Sequence, residues 1–287
     1  MPNFASRLLL LQYGAERVPK ALSLRGGSGD LYWEPLFGAL IETAGGWVLY
    51  DTGMARRALD SEDVQATYLA SALESAADVT PTPWSLLPTP PAPDRWNWGL
   101  PGDPLVTALA GVGLAPQDLS LAVVSHLHLD HSGGIPTLVE AGVPVAVQRS
   151  ELELVHSGRV GLGDGFHEPD WSIPDRSWRL LDGDAEVAPG VLVLSTPGHT
   201  PGHSSLEVRL PQTGSWLFTG DATDLAQNLL DGVPCGSCAG GTSADEQEAA
   251  RSLELLLHRA AEDGARLIPG HDQVVLNAIR HPSGGHR

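Results

Sequence analysis

The sequence predicts an α/β fold, and three observations carry that prediction. Short apolar runs rich in β-branched residues recur along the 287 residues, helical stretches separate them, and several runs end in glycine beside a histidine or an aspartate. The last point matters because groups at the carboxyl ends of strands in α/β sheets converge on one crevice. With 42% apolar residues the chain can bury a large core, so it reads as one domain over 1–287 with a Pro/Trp-rich insertion at 81–104.

RLLLLQY (7–13) reads as the first strand, and LFGALIETAGGWVLYDTG (36–53) as two strands joined at Gly45-Gly46. Residues 54–78 read as helical from their Ala, Leu and Glu content. Later strands are expected at 121–125, 143–148, 191–196, 204–210, 215–219 and 265–269. A long helix is expected over 244–262, opened by Ser243 with Glu246 three residues on, a capping-box spacing, and ending near Gly264.

Residues 81–104 interrupt this rhythm with eight prolines and three tryptophans, Trp84, Trp96 and Trp98. Proline density disfavours regular helix, and indole rings are costly to leave in water. The segment either packs on its own domain or a second subunit, or forms a wall of the substrate entrance; in the latter case the three tryptophans are substrate-binding residues.

A net charge of −18 argues against a nucleic-acid partner, since no local basic patch offsets it. Only Lys20 is lysine, so a clamp on an anionic substrate would have to be arginine. The apolar run near the start is too short for a signal peptide, and no window approaches a membrane span, so a cytoplasmic location with no membrane partner is expected. Cys235 and Cys238 form a lone CGSC, read as a Gly-rich surface loop rather than a zinc ribbon or redox motif.

The chemistry concentrates in SHLHLDHSGG (125–134), directly after an apolar run. His126 and His128, two apart in extended chain, point to one side, and Asp130 and His131 follow where the chain turns. One loop could thus serve two adjacent metal positions. Other strands run into His199, Asp221, His271 and Asp51. Imidazole and carboxylate donors without thiolate suit zinc and also accept iron, manganese or cobalt.

At these residues the sequence resembles the metallo-β-lactamase-fold hydrolases. SHLHLDH, TPGHTPGH, FTGDA, PGHD and LYDTG match that family's motifs, in family order, from residue 50 to 272. Within the superfamily the chain is most similar to the N-acyl-homoserine lactone lactonases, through PVAVQRSELE (144–153), LLDGDAEVAPGVLVLSTPGHTPGHSSL (180–206), the DGVP after Asp221, and DTGM (51–54). The resemblance covers most of the chain except the 81–104 insertion.

It implies a four-layer αββα sandwich holding two divalent metal ions, most simply zinc. His126, His128 and His199 would bind the first ion, and Asp130, His131 and His271 the second, with Asp221 bridging. Asp51 would support a ligand from behind, and His203 is read as a hydrogen-bonding residue at the start of a strand. A hydroxide held between the ions would attack the lactone carbonyl, with Asp130 carrying the proton to the leaving oxygen. Implied partners are a small lactone or ester and, by analogy, a second copy in a homodimer. The chain departs from the lactonase pattern at Asp224, where those enzymes usually carry a tyrosine thought to touch the substrate carbonyl. Asp224 would help there only if protonated, or else point to solvent.

The departure keeps an organophosphate or aryl-ester hydrolase open as an alternative. A glyoxalase II-like thioesterase fits less well, lacking a basic C-terminal tail, and β-lactam hydrolysis and RNA processing fit less well again. Outside enzymology, a lactone-binding sensor is the rival.

Overall fold

Alternation of apolar side chains sorts the strands into two sheets. The computed structural model describes residues 4–74, 95–237 and 243–287. Among them, β1 (Arg7–Pro19), β2 (Leu31–Thr43), β3 (Gly46–Tyr50), β4 (Asn97–Gly99), β5 (Leu119–Val123), β6 (Val145–Gln148) and β7 (Trp178–Leu181) form one sheet in the order β4-β1-β2-β3-β5-β6-β7. The strands β8 (Ala185–Ala188), β9 (Val191–Ser195), β10 (Ser204–Leu210), β11 (Gly214–Gly220) and β12 (Arg266–Pro269) form the other, in the order β12-β11-β10-β9-β8.

Period-two alternation decides what each face meets. Ala39 and Ile41 of β2, Val48 and Tyr50 of β3, and Leu121 and Val123 of β5 face the second sheet, where Val193, Val208, Trp216 and Phe218 close the central core. The intervening Leu40, Leu49 and Ala122 turn outward against Leu105, Leu109, Leu138 and Leu152 of the flanking helices. On the far side, Leu194 and Leu217 take Leu256 and Ala260 of the helix Ser243–Asp263. Helix, sheet, sheet and helix therefore stack as four layers, each apolar face covered by the next.

The first two strands are longer than their apolar runs. Gly14 ends the run RLLLLQY, but the ladder shifts register between Gln12 and Gly14 and then continues to Pro19↔Leu31. A Cβ at Gly14 would come within 2.1 Å of the Trp98 carbonyl oxygen, so glycine is what lets β4 pair with β1 here. This extension of β1 and β2 carries Glu16 and Glu34, which neither composition nor periodicity singles out.

The helical stretch at 54–78 divides into Arg56–Leu59 and Glu62–Glu74, because Ser61 turns its hydroxyl to the Val64 N–H (3.3 Å) and starts a new helix. Residues 75–78 lie outside the described residues, as do 81–94 of the insertion with Trp84. Its remainder packs on the chain itself. Trp96 stacks on the Arg17 guanidinium, 4.5 Å from ring centre to Cζ, against Leu31 and Ala72, and Trp98 packs on Ala15 and Trp33. Among the described residues no helix is long and apolar enough to cross a membrane.

Candidate metal centre

Five strand ends meet at one edge of the sandwich. β3 and β5 run parallel, so Asp51 and the loop after Val123 emerge side by side, and parallel β11 and β12 deliver Asp221 and His271 in the same way. β9 leads into His199. Asp51 is the one non-glycine among the described residues with a left-handed backbone, φ 58°. That conformation is tolerated by Asp better than by most residues, and it is held by two contacts: Oδ1 accepts from the Ser125 N–H at 2.7 Å, and Oδ2 lies 2.9 Å from His131 Nδ1.

The ligand atoms gather as two sets sharing Asp221. In the first, His128 Nδ1 lies 2.9 Å from His126 Nε2 and 3.0 Å from His199 Nε2, while Asp221 Oδ2 is 3.6 Å and 3.3 Å from those two nitrogens. In the second, His131 Nε2 lies 2.9 Å from Asp130 Oδ2, 3.2 Å from Asp221 Oδ1 and 3.3 Å from His271 Nε2, which is 3.2 Å from Asp221 Oδ1. Each set of four falls within 4.8 Å. Imidazole nitrogens facing one another at these spacings surround a common point, and four N/O donors around a point suit a divalent ion. The structure thus brings all seven residues of the expected ligand set together.

The outward ring nitrogens of His126, His199 and His271 are held too, as is usual for metal-binding imidazoles, whereas His128 Nε2 has no hydrogen-bond partner among the described residues. His126 Nδ1 meets Ser125 Oγ at 3.0 Å, His199 Nδ1 the Ser237 carbonyl at 3.1 Å, and His271 Nδ1 the Pro35 carbonyl at 3.2 Å. Burial lowers the basicity of His126 and His199 and pushes His128 down to about 3, so these rings are neutral and present lone pairs. At His131 and His271 burial acts the same way, but Asp130 and Asp221 outweigh it at His131, and Asp221 with Glu34 and Asp224 at His271, raising both rings well above the usual range. The second set therefore attracts positive charge, as a cation site must.

His203 stands behind the bridge: its Nε2 accepts the Asp221 N–H at 3.0 Å, and its Nδ1 faces the Thr196 carbonyl at 3.0 Å. Burial pushes it down to about 3. Glu151, which none of the ligand motifs contains, lies inside PVAVQRSELE. Fully buried, it accepts from the N–H groups of Leu127 (2.9 Å) and Gly202 (3.0 Å) and from the Thr200 hydroxyl (2.7 Å).

Beside the two sets lies a cavity of about 270 Å³, lined by His128, Asp130, His199, Asp221 and His271 and also by Glu16, Glu34, Tyr68, Ser237 and Asp224. Asp224 does not point to solvent. It is 4% exposed, its Oδ1 has no hydrogen-bond partner, and burial with the neighbouring Asp221 raises its pKa well above the carboxylate range. Trp96 and Trp98 are not among the lining residues, so the substrate-wall reading gives way to packing for both. Cys235 is also not on a surface loop: it is buried, with Sγ 3.1 Å from the Ser237 carbonyl oxygen and 3.6 Å from His199 Nδ1. Its loop hugs β1's following turn so closely that a Cβ at Gly236 would fall 1.8 Å from the Ala21 carbonyl oxygen. Cys238 lies outside the described residues.

The fold and these two adjoining His/Asp sets define a class: the chain belongs to the metallo-β-lactamase superfamily, whose family model matches residues 37–271. More particularly, it is 31% identical over 245 residues to the N-acyl homoserine lactonase AiiA of Bacillus thuringiensis subsp. kurstaki, covering 85% of this chain and 84% of that protein. It is 32% identical over 173 residues to the N-acyl homoserine lactonase AttM of Azorhizobium caulinodans, covering 58% of this chain and 63% of that one. A crystal structure of a B. thuringiensis AiiA mutant with N-decanoyl-L-homoserine at its active site superposes with a TM-score of 0.78 at 27% identity, covering 96% of this chain and 97% of that one. An N-acyl homoserine lactone hydrolase with N-hexanoyl-L-homoserine at its catalytic metal centre gives 0.74 at 28% identity, covering 96% and 97%.

Proposed function

We propose that this chain is a metal-dependent lactonase that opens the ring of N-acyl homoserine lactones, a quorum-quenching activity. The observation that carries the reading is the pair of four-ligand sets sharing Asp221 at the floor of one cavity, in a chain so similar to N-acyl homoserine lactonases over most of its length.

In this reading His126, His128, His199 and Asp221 hold one divalent ion, and Asp130, His131, His271 and Asp221 the other. Such ions, zinc being the one these donors suit best, supply Lewis acidity toward the ester carbonyl and lower the pKa of water. The chain's residues do the rest. Asp221 fixes the spacing of the two sets, and His203 fixes Asp221 through its N–H. Asp51 holds the His131 ring with Nε2 inward. Asp130, on the cavity wall beside both sets, takes the proton of the attacking water and returns it to the ring oxygen as the C–O bond breaks.

The test is one metal-loaded preparation assayed with and without chelator on N-hexanoyl and N-decanoyl homoserine lactones, S-lactoylglutathione, nitrocefin and paraoxon. Chelator-sensitive ring opening well above the other rates supports the reading. Faster paraoxon or thioester turnover would replace it.

A further inference from the structure

We propose that Glu16, Glu34 and Asp224 form a subsite for a positively charged amine, so that the substrates of this centre include lactones with a free α-amino group. The proposal rests on reading the adjoining centre as one that opens lactones.

Glu16 and Glu34 stand directly opposite each other on β1 and β2, a placement in which like charges repel. Both are buried, at 6% and 1% exposure. Their hydroxyl partners all fall on one oxygen of each carboxylate: Tyr68 donates to Glu16 Oε2, and Tyr32 and Ser23 donate to Glu34 Oε1. Asp224 joins them on the wall of the same cavity, nine-tenths buried, with an oxygen that has no partner at all. Among the described residues lining this cavity there is no lysine or arginine. Carboxyl groups out of water need a proton or a compensating charge, and apart from the histidines of the two sets no basic side chain lines the cavity to supply one.

The chemistry of the missing charge follows from the neighbours. One atom each of Glu16, Glu34 and His271 lie within 4.8 Å of one another, a spacing that would admit a metal. His271 Nε2, however, already belongs to the set of Asp130, His131 and Asp221, so an ion here would lose its imidazole. An ammonium group instead offers three N–H donors to the acceptor oxygens of three carboxyl groups. Because the cluster adjoins the metal-ligand sets, the charge must sit within a few bonds of the scissile carbonyl, as it does in an α-amino lactone. The reaction is hydrolysis: water adds, the ring C–O bond breaks, and the product is the α-amino-γ-hydroxy acid with its ammonium unchanged.

Calorimetry on the metal-loaded full chain at about pH 6, where an α-amine is protonated, would compare α-amino-γ-butyrolactam with γ-butyrolactam, unreactive analogues differing only in the ammonium. The wild type is expected to prefer the cation at least about tenfold, the fold-change of a charge-assisted hydrogen bond. The double variant Glu16→Gln/Glu34→Gln, or Glu34→Gln alone if the double variant does not fold, is expected to lose that preference. Equal affinities in the wild type, or a preference that survives in the variants, would overturn the proposal. Metal content is expected to match between wild type and variant; one ion fewer in the variant would assign the cluster to a metal and also overturn it. Hydrolysis of N-hexanoyl homoserine lactone separates the two readings. If it occurs while the lactams bind equally, only the amine subsite falls; if it is absent, the lactonase reading and the substrate class fall, and the lactams still judge the subsite.

Discussion

Glu151 Oε1 accepts the Leu127 N–H at 2.9 Å, while its Oε2 takes the Gly202 N–H and the Thr200 hydroxyl. One buried carboxylate thus ties the loop of His126 and His128 to the loop of His199, three ligands of the same set. Glu151→Ala should leave three donors unpaired and lower metal affinity at the first set by about 10- to 100-fold, measured by competition with a chromophoric chelator. Unchanged affinity would make Glu151 a packing residue only.

The same carboxyl has a pH signature. Burial raises Glu151 from 4.5 to about 6, so the folded state binds its proton more tightly than the unfolded chain does. Its contribution to stability is therefore fully present below pH 4.5 and is lost as pH rises through about 6, a change of about 2 kcal/mol. Carboxyl-carbon NMR, assigned with Glu151→Gln, should show a midpoint near that value rather than near 4.5.

His203 behaves oppositely. Burial depresses it from 6.5 to about 3, so its contribution is present above pH 6.5 and is lost as pH falls toward 3. Denaturant unfolding of His203→Gln across that window should show a shallower acid decline than the wild type, and parallel declines would count against the assignment.

Among the ligands, Asp221→Ala should abolish nearly all metal binding and ring opening, since one side chain serves both sets. Asp130→Asn should keep the fold and lose turnover by roughly 10²- to 10⁴-fold, the usual scale of a lost acid–base group. Metal analysis beside kinetics checks both; a wild-type rate in Asp221→Ala would sink the ligand assignment.

Trp96→Ala should cost about 3–5 kcal/mol of stability, the scale for a buried indole, without changing the relative KM for short- and long-chain lactones. A chain-length-dependent KM would return Trp96 to the substrate path.

Local sequence was enough to pick out the seven residues that gather in the two sets, because they stand in short motifs at strand ends and a parallel sheet brings such ends to one edge. It was also enough for the strands whose apolar alternation is unbroken, such as β3, β5 and β9 to β11. It failed where Gly14 interrupts the first apolar run and Glu34-Pro35 the second, so that β1 reads as stopping at Tyr13 and β2 as starting at Leu36. Nothing local marks Glu16 and Glu34 as different from surface glutamates, and nothing in CGSC says that Cys235 is buried beside His199. Those facts depend on register, on the Gly14 approach to β4, and on what closes over each side chain. Motif chemistry is a property of neighbours in sequence; the polarity of the cavity wall is decided by residues far apart in the chain, which only packing brings together.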